Sequence, residues 1–246
     1  MAGHNKWSKV KHIKAKTDAV KGKAFSKAAR EITVAVKQGG VDPDMNPVLR
    51  LALQKARDCN MPKDNIKRAI DKGAGVGEGD QLEEITYEGY APGGIAILIR
   101  ALTDNKNRTV PNVRAALTKA GGSLASSGAV SYLFDKKGVI LFDDTVDADT
   151  VMTIAIDAGA DDVDVQDDGY VEVLTLPDQF ETVVNSFNAQ DIDYLNASIE
   201  MVPQNRVMLD VDKVAGFLKL IEKIEEDDDI QDVFHNADLP DEALGD

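Results

Sequence analysis

The sequence predicts an α+β protein: an N-terminal three-helix bundle followed by two ferredoxin-like α/β domains, one inserted in the other. Three observations predict it. Apolar residues recur at helical spacing over the first third, broken by Gly39-Gly40 and Asn60-Met61-Pro62. After Asp80 short apolar strands alternate with helices. Residues 137–202 read βαββαβ by themselves, the split order of ferredoxin-like units.

In the first helix Phe25, Ala28, Ala29, Ile32 and Val36 share a face, and Gly39-Gly40 stops it, since glycine takes a left-handed cap without steric cost. Asn46-Pro47 opens the second: a capping side chain, then proline at the first helical position. Val48, Leu49, Ala52, Leu53 and Ala56 form its apolar face. A third helix runs from about Pro62 to Lys72 with Ile66, Ala69 and Ile70 inward. The run Gly73 to Gly79 follows a helix rather than a strand, so it reads as a linker and not as a phosphate loop.

Ile85 to Tyr90 and Ile95 to Thr103 read as strands joined by a turn at Ala91-Pro92-Gly93-Gly94. A helix marked by Val110, Val113 and Leu117 follows, then a strand from Ala129 to Phe134. The inner unit begins with a strand from Val139 to Phe142 and a helix marked by Val151, Ile154 and Ala155. A hairpin follows, with Asp168-Gly169 as a two-residue loop. A helix with Phe180, Val183 and Phe187 and a strand from Ala197 to Val202 complete it. Arg206 to Leu209 and Ile230 to Phe234 read as strands flanking a helix that turns Val214, Phe217, Leu218, Ile221 and Ile224 inward. The outer segments together give one extra strand plus a second βαββαβ. The predicted boundaries are 1–78 for the bundle with its arm, 80–134 with 204–240 for a discontinuous domain, and 135–203 for the insert.

Charge is the strongest compositional signal. Residues 1–72 hold 17 Lys/Arg and 7 Asp/Glu, net +10; residues 73–246 hold 11 and 36, net −25. A basic front on an acidic body points to a polyanion, with phosphate contacts confined to the first third. The candidate contacts are Lys6, Trp7, Lys9, Lys11, His12, Lys14, Lys16, Lys21, Lys23, Lys27 and Arg30, with Lys106 and Arg108 as a secondary pair. Lysines supply phosphate contacts, and Trp7 either packs on the bundle or stacks on a base. In the loop Thr103 to Thr109, local turns and a helix cap account for the Asp, Asn and Thr residues without a ligand.

Other classes find little support. A single cysteine, Cys59, excludes an internal disulfide and a cysteine zinc site and suits a reducing compartment. The longest strongly apolar run, Ile95 to Ile99, is far too short to cross a bilayer, so a cytoplasmic protein without membrane contact is expected. Laid on a calcium-loop pattern from Asp164, the sequence places Gln166 and Thr175 where ligands belong, so no metal site is expected there. No nucleophile stands in a catalytic arrangement, so neither a catalytic residue nor a cofactor is expected.

The opening AGHNKWSKVKHIKAKTDAVKGKAFSK, residues 2–27, resembles the hallmark of the YebC/PmpR family, which includes the mitochondrial translational activator of cytochrome oxidase. The resemblance continues through Asn46-Pro47-Val48-Leu49-Arg50, Asn60 to Ile66, Tyr87-Glu88-Gly89-Tyr90, Leu102 to Thr109 and His235-Asn236, covering essentially the whole chain. Leu124-Ala125-Ser126-Ser127-Gly128-Ala129 departs from it, lacking the family's usual glycine after the leucine and serine after the second glycine. The resemblance implies a three-domain, DNA-binding transcriptional regulator, with a ribosome-associated factor assisting elongation through consecutive prolines as the alternative. The partners it implies are DNA, or ribosomal RNA and the ribosome, with protein partners on the acidic α/β domains.

Overall fold

The computed structural model describes residues 19–75, 82–240 and 243, with side chains from residue 23 onward. The chain divides into two compact units. One holds the described residues up to 130 together with 215–233; the other holds 131–214 and the described residues from 234 on.

The first unit begins with the helices α1 (Ala19–Gly39), α2 (Pro47–Asp58) and α3 (Lys63–Gly73). Ala28, Ile32, Leu49, Ala52, Ala56 and Ala69 form their common core, with Phe25, Ile66 and Ile70 packed against it. Burying a leucine or isoleucine here contributes about 1.5–3 kcal/mol each. Asn46 binds the first two helices together. Its Oδ1 accepts from the Leu49 N–H at 3.0 Å, capping α2, while its Nδ2 donates to the carbonyls of Ala35 and Gly40 at 2.8 and 2.9 Å. Gly73 lets α3 close on α1: a Cβ there would stand 2.6 Å from the Thr33 carbonyl oxygen.

The sheet of this unit is built from β1 (Glu83–Ala91), β2 (Ile95–Thr103), β3 (Ser123–Leu124) and β9 (Ile230–His235), in the order β3-β1-β2-β9. Helix α4 (Lys106–Lys119) follows β2, and α7 (Val211–Glu225) precedes β9. A Cβ at Gly89 would touch Leu117 on α4, so alternation along β1 and β2 places Gly89 toward the helix and Arg100 on the opposite face.

The second unit runs β4 (Phe134–Phe142), α5 (Ala148–Asp157), β5 (Asp162–Val165), β6 (Val171–Thr175), α6 (Phe180–Asn188) and β7 (Asn196–Pro203), with sheet order β5-β6-β4-β7. Phe142 and Phe187 pack at 4.7 Å between ring centroids, joining the sheet to α6. Outside that sheet, β8 (Val207–Met208) pairs in parallel with β10 (Ala237–Asp238).

Three expectations need correction. The first sheet has no extra strand. Reading β2, α4, β3, β1, α7, β9 gives βαββαβ with the same spatial order as the second sheet, so β1 is the third strand of the motif moved to the front. The predicted strand Ala129 to Phe134 is a loop and one 3-10 turn, Ser131–Leu133, before β4 begins at Phe134. The N–H groups of Gly128 and Val130 both donate to the Glu88 carboxylate at 2.7 Å, so a side chain takes the place of a strand partner. The strand near Arg206 to Leu209 lies in the β8–β10 pair and not in the four-stranded sheet.

The hairpin loop is likewise longer than predicted. Gln166 N–H donates to Tyr170 O, and Gly169 N–H donates to Gln166 O, both at 2.9 Å, leaving three residues in the loop. A two-residue Asp-Gly loop needs positive φ at both positions, and here Gly169 alone adopts it, at 86°.

Candidate nucleic-acid interface

Lys6, Trp7, Lys9, Lys11, His12, Lys14 and Lys16 lie outside the described residues, and Lys21 is described only as backbone within α1. The rest of the predicted contact set can be placed. Lys23 is exposed and donates to the Glu226 carbonyl at 3.1 Å. Lys27, half-buried, is engaged as well. Arg30 Nη1 donates to the carbonyls of Leu102 and Asp228, at 3.0 and 2.7 Å, and to Asp229 Oδ1 at 2.7 Å. The stripe Lys23, Lys27, Arg30 and Lys37, which reads in the sequence as an extension of the arm's footprint, thus meets the turn between α7 and β9 through Lys23 and Arg30.

Asp229 is the centre of that meeting. Its side chain is 3% exposed. Arg108 Nη2 reaches both carboxylate oxygens at 2.8 Å, and the Thr103 and Thr109 hydroxyls donate to Oδ2 at 3.0 and 2.8 Å. Burial alone would raise this carboxyl's pKa. The hydrogen bonds from Arg108, Thr109, Arg30 and Thr103 outweigh it and hold the group below the usual carboxylate range. The chain positions these donors locally. Asn105 caps α4 by accepting the Arg108 N–H at 3.2 Å, and Asp104 accepts from the same Arg108 Nη2 at 2.8 Å. Arg108 is therefore a partner within the chain, and Lys106 pairs with Glu83 at 2.5 Å on the surface.

A second ionic group lies on the sheet face opposite α4. Arg100 Nη2 meets Glu31 at 2.7 Å and Asp232 at 2.5 Å, and Lys55 meets Glu31 at 3.2 Å. Burial works against both cations, but the neighbouring carboxylates prevail and raise both pKa values. The neighbours Arg30 and Glu31 thus tie α1 to the sheet through opposite charges.

Sequence reasoning left out of the site several bases that the structure exposes. Lys63, Lys67 and Lys72 are exposed and, like Lys37 of the α1 stripe, form no ion pair among the described residues. Their signal is legible in retrospect: Lys63 and Lys67 stand one turn apart, away from the inward Ile66, Ala69 and Ile70. Asp64 and Asp71 interrupt the basic surface of α3.

Elsewhere in this unit α4 and α7 flank a groove of about 800 Å³ with Val113, Leu220 and Ile224 at its base and Lys119, Lys219 and Glu222 along it. Its mixed charge gives it no preference for a polyanion. Among the described residues no group of three His, Cys, Asp or Glu is placed to hold a metal ion, and no helix is long and apolar enough to cross a membrane.

Two family models match: the TACO1/YebC protein N-terminal domain over residues 5–76, and the TACO1/YebC second and third domain over residues 82–237. The chain belongs to the TACO1/YebC family. Similar members include probable transcriptional regulatory proteins of Idiomarina loihiensis, 48% identical over 99% of this chain and 98% of that one, and of Geobacter sp., 49% identical with the same coverage. The crystal structure of a conserved hypothetical protein from Aquifex aeolicus is similar at TM-score 0.85 and 43% identity, over 94% of this chain and 96% of that one. Several motifs that carry the YebC resemblance are joints in this fold. Asn46 ties α1 to α2, Thr103 to Thr109 closes on Asp229, and Glu88 holds the loop before β4.

Proposed function

We propose that this YebC-family chain is a non-enzymatic, nucleic-acid-binding regulator of gene expression, a DNA-binding transcriptional regulator of the cytoplasm. The observation that carries the reading is the charge division, +10 over residues 1–72 against −25 over the rest. The names of the relatives support a regulatory role. Residues 1–78 grip phosphates through the arm lysines and the exposed bases of the bundle. Residues 80–134 with 204–240, and 135–203, act as two further domains that meet protein partners. Helices α2 and α3 are separated by four residues, the connectivity of a helix-turn-helix, which favours DNA.

The second reading is a ribosome-associated factor that touches ribosomal RNA and assists elongation through consecutive prolines. Asp64 and Asp71 favour it, because a surface broken by acids suits contact with backbone shape better than base reading. Replacing Lys9, Lys11, Lys14 and Lys16 by alanine is expected to weaken binding and to flatten its salt dependence by roughly 3–4 units of slope. An unchanged slope would place the contact surface elsewhere. Cross-linking in cells separates the two readings: recovered promoter DNA supports the first, recovered ribosomal RNA the second.

A further inference from the structure

We infer that Arg30 is a positioning residue rather than a phosphate contact: Arg30, Asp229 and Arg108 form a latch that fixes α1 and thereby aims the basic arm. The inference rests on the nucleic-acid reading above and assigns a role within that site.

The geometry points there in three steps. The Arg30 guanidinium is already committed to acceptors from two distant segments, the Leu102 carbonyl at the end of β2 and Asp228 and Asp229 before β9. Reaching a phosphate would break these charge-assisted bonds and leave the buried Asp229 carboxylate short of a partner. Second, Lys23 lies two turns before Arg30 on the same side of α1, and it donates to Glu226 at the same turn. The helix is thus held at two points against one acidic segment, Glu226-Asp227-Asp228-Asp229. Third, that segment is itself anchored: Leu102 N–H donates to the Asp229 carbonyl at 2.8 Å, and Asn112 donates to Asp227 at 2.9 Å. Residues 1–18 precede α1 in the sequence, so a fixed α1 fixes the point to which they are attached. An arm with a fixed origin meets a phosphate chain with less orientational entropy to lose.

The test uses the full chain carrying Arg30→Gln, Asp229→Asn or both, with a labelled mixed-sequence DNA duplex and an RNA hairpin as probes over a range of salt. The latch predicts that either single change lowers affinity roughly fivefold or more, with the salt slope retained and the double variant no weaker than the singles. A phosphate-contacting Arg30 predicts the opposite: Arg30→Gln flattens the slope by about one unit, and Asp229→Asn, by releasing the arginine, leaves affinity unchanged or raised. Circular dichroism checks that each variant is folded. If Asp229→Asn does not fold, the slope of Arg30→Gln alone decides. The variant lacking Lys9, Lys11, Lys14 and Lys16 runs alongside. If it binds like wild type, the nucleic-acid reading falls and the latch with it. If it weakens binding while Arg30→Gln does not, the latch alone is overturned.

Discussion

At the scale of single residues, two buried polar side chains carry more than their share of the fold. Asp229 satisfies two guanidinium groups and two hydroxyls, so removing its charge leaves Arg30 without its carboxylate and Arg108 with Asp104 alone. Asp229→Asn is expected to cost roughly 3–5 kcal/mol, read as a lower chemical midpoint at neutral pH. The sign of its pH dependence follows from the depressed pKa. A carboxyl held below the ordinary value, about 3.9, contributes stability that is complete above that value and is lost as pH falls through the folded-state pKa. Thermal unfolding across pH should show the wild type losing stability below about pH 4, and Asp229→Asn should start lower and fall less steeply. Parallel curves would remove Asp229 from the acid limb. Asn46 is the second case. Asn46→Ala removes a helix cap and two donated hydrogen bonds, leaving the Ala35 carbonyl buried, and should cost roughly 2–3 kcal/mol by urea titration.

At the scale of elements, the sequence was legible wherever one local rule decided the structure. Asn46-Pro47 opened α2, Asn105 capped α4, and the apolar stripes of the bundle helices reached the core except for Val48, which stands in the first turn of α2 and is exposed. Errors arose where a distant group decided. Val130 looked like strand because it is apolar, but its N–H belongs to the Glu88 carboxylate, forty-two residues away. The start of β4 was missed because Asp135 and Lys136 are exposed there and hide the alternation. The sequence likewise gives no sign of the acceptors of Arg30, the Leu102 carbonyl 72 residues on and Asp228 and Asp229 198 and 199 residues on, beyond any spacing rule. The hairpin loop shows the same limit on a small scale. Gly169 bears the positive φ by itself, so Gly169→Ala should destabilise by about 1 kcal/mol or more in denaturant titration, whereas Asp168→Ala should change little. Equal costs would restore the two-residue loop.

At the scale of the whole molecule, a net charge of −15 ought to repel nucleic acid, and binding is expected only if the positive and negative regions act over different distances. Contacts made by arm lysines act at a few ångströms. Repulsion from the body acts through solvent and fades beyond the Debye length, about 8 Å at ~0.15 M salt and about 30 Å at ~0.01 M. The exposed acids Asp157, Asp167, Asp178 and Asp193 of the second unit offer a direct probe of this separation. Changing all four to asparagine should leave affinity unaltered at ~0.15 M salt and raise it severalfold at ~0.01 M, measured by anisotropy with the same duplex. A rise at both salt concentrations would mean that the second unit lies within a Debye length of the bound phosphates. No rise at either would mean that its charge is not felt at all, and the division of charge along the chain would then serve solubility rather than recognition.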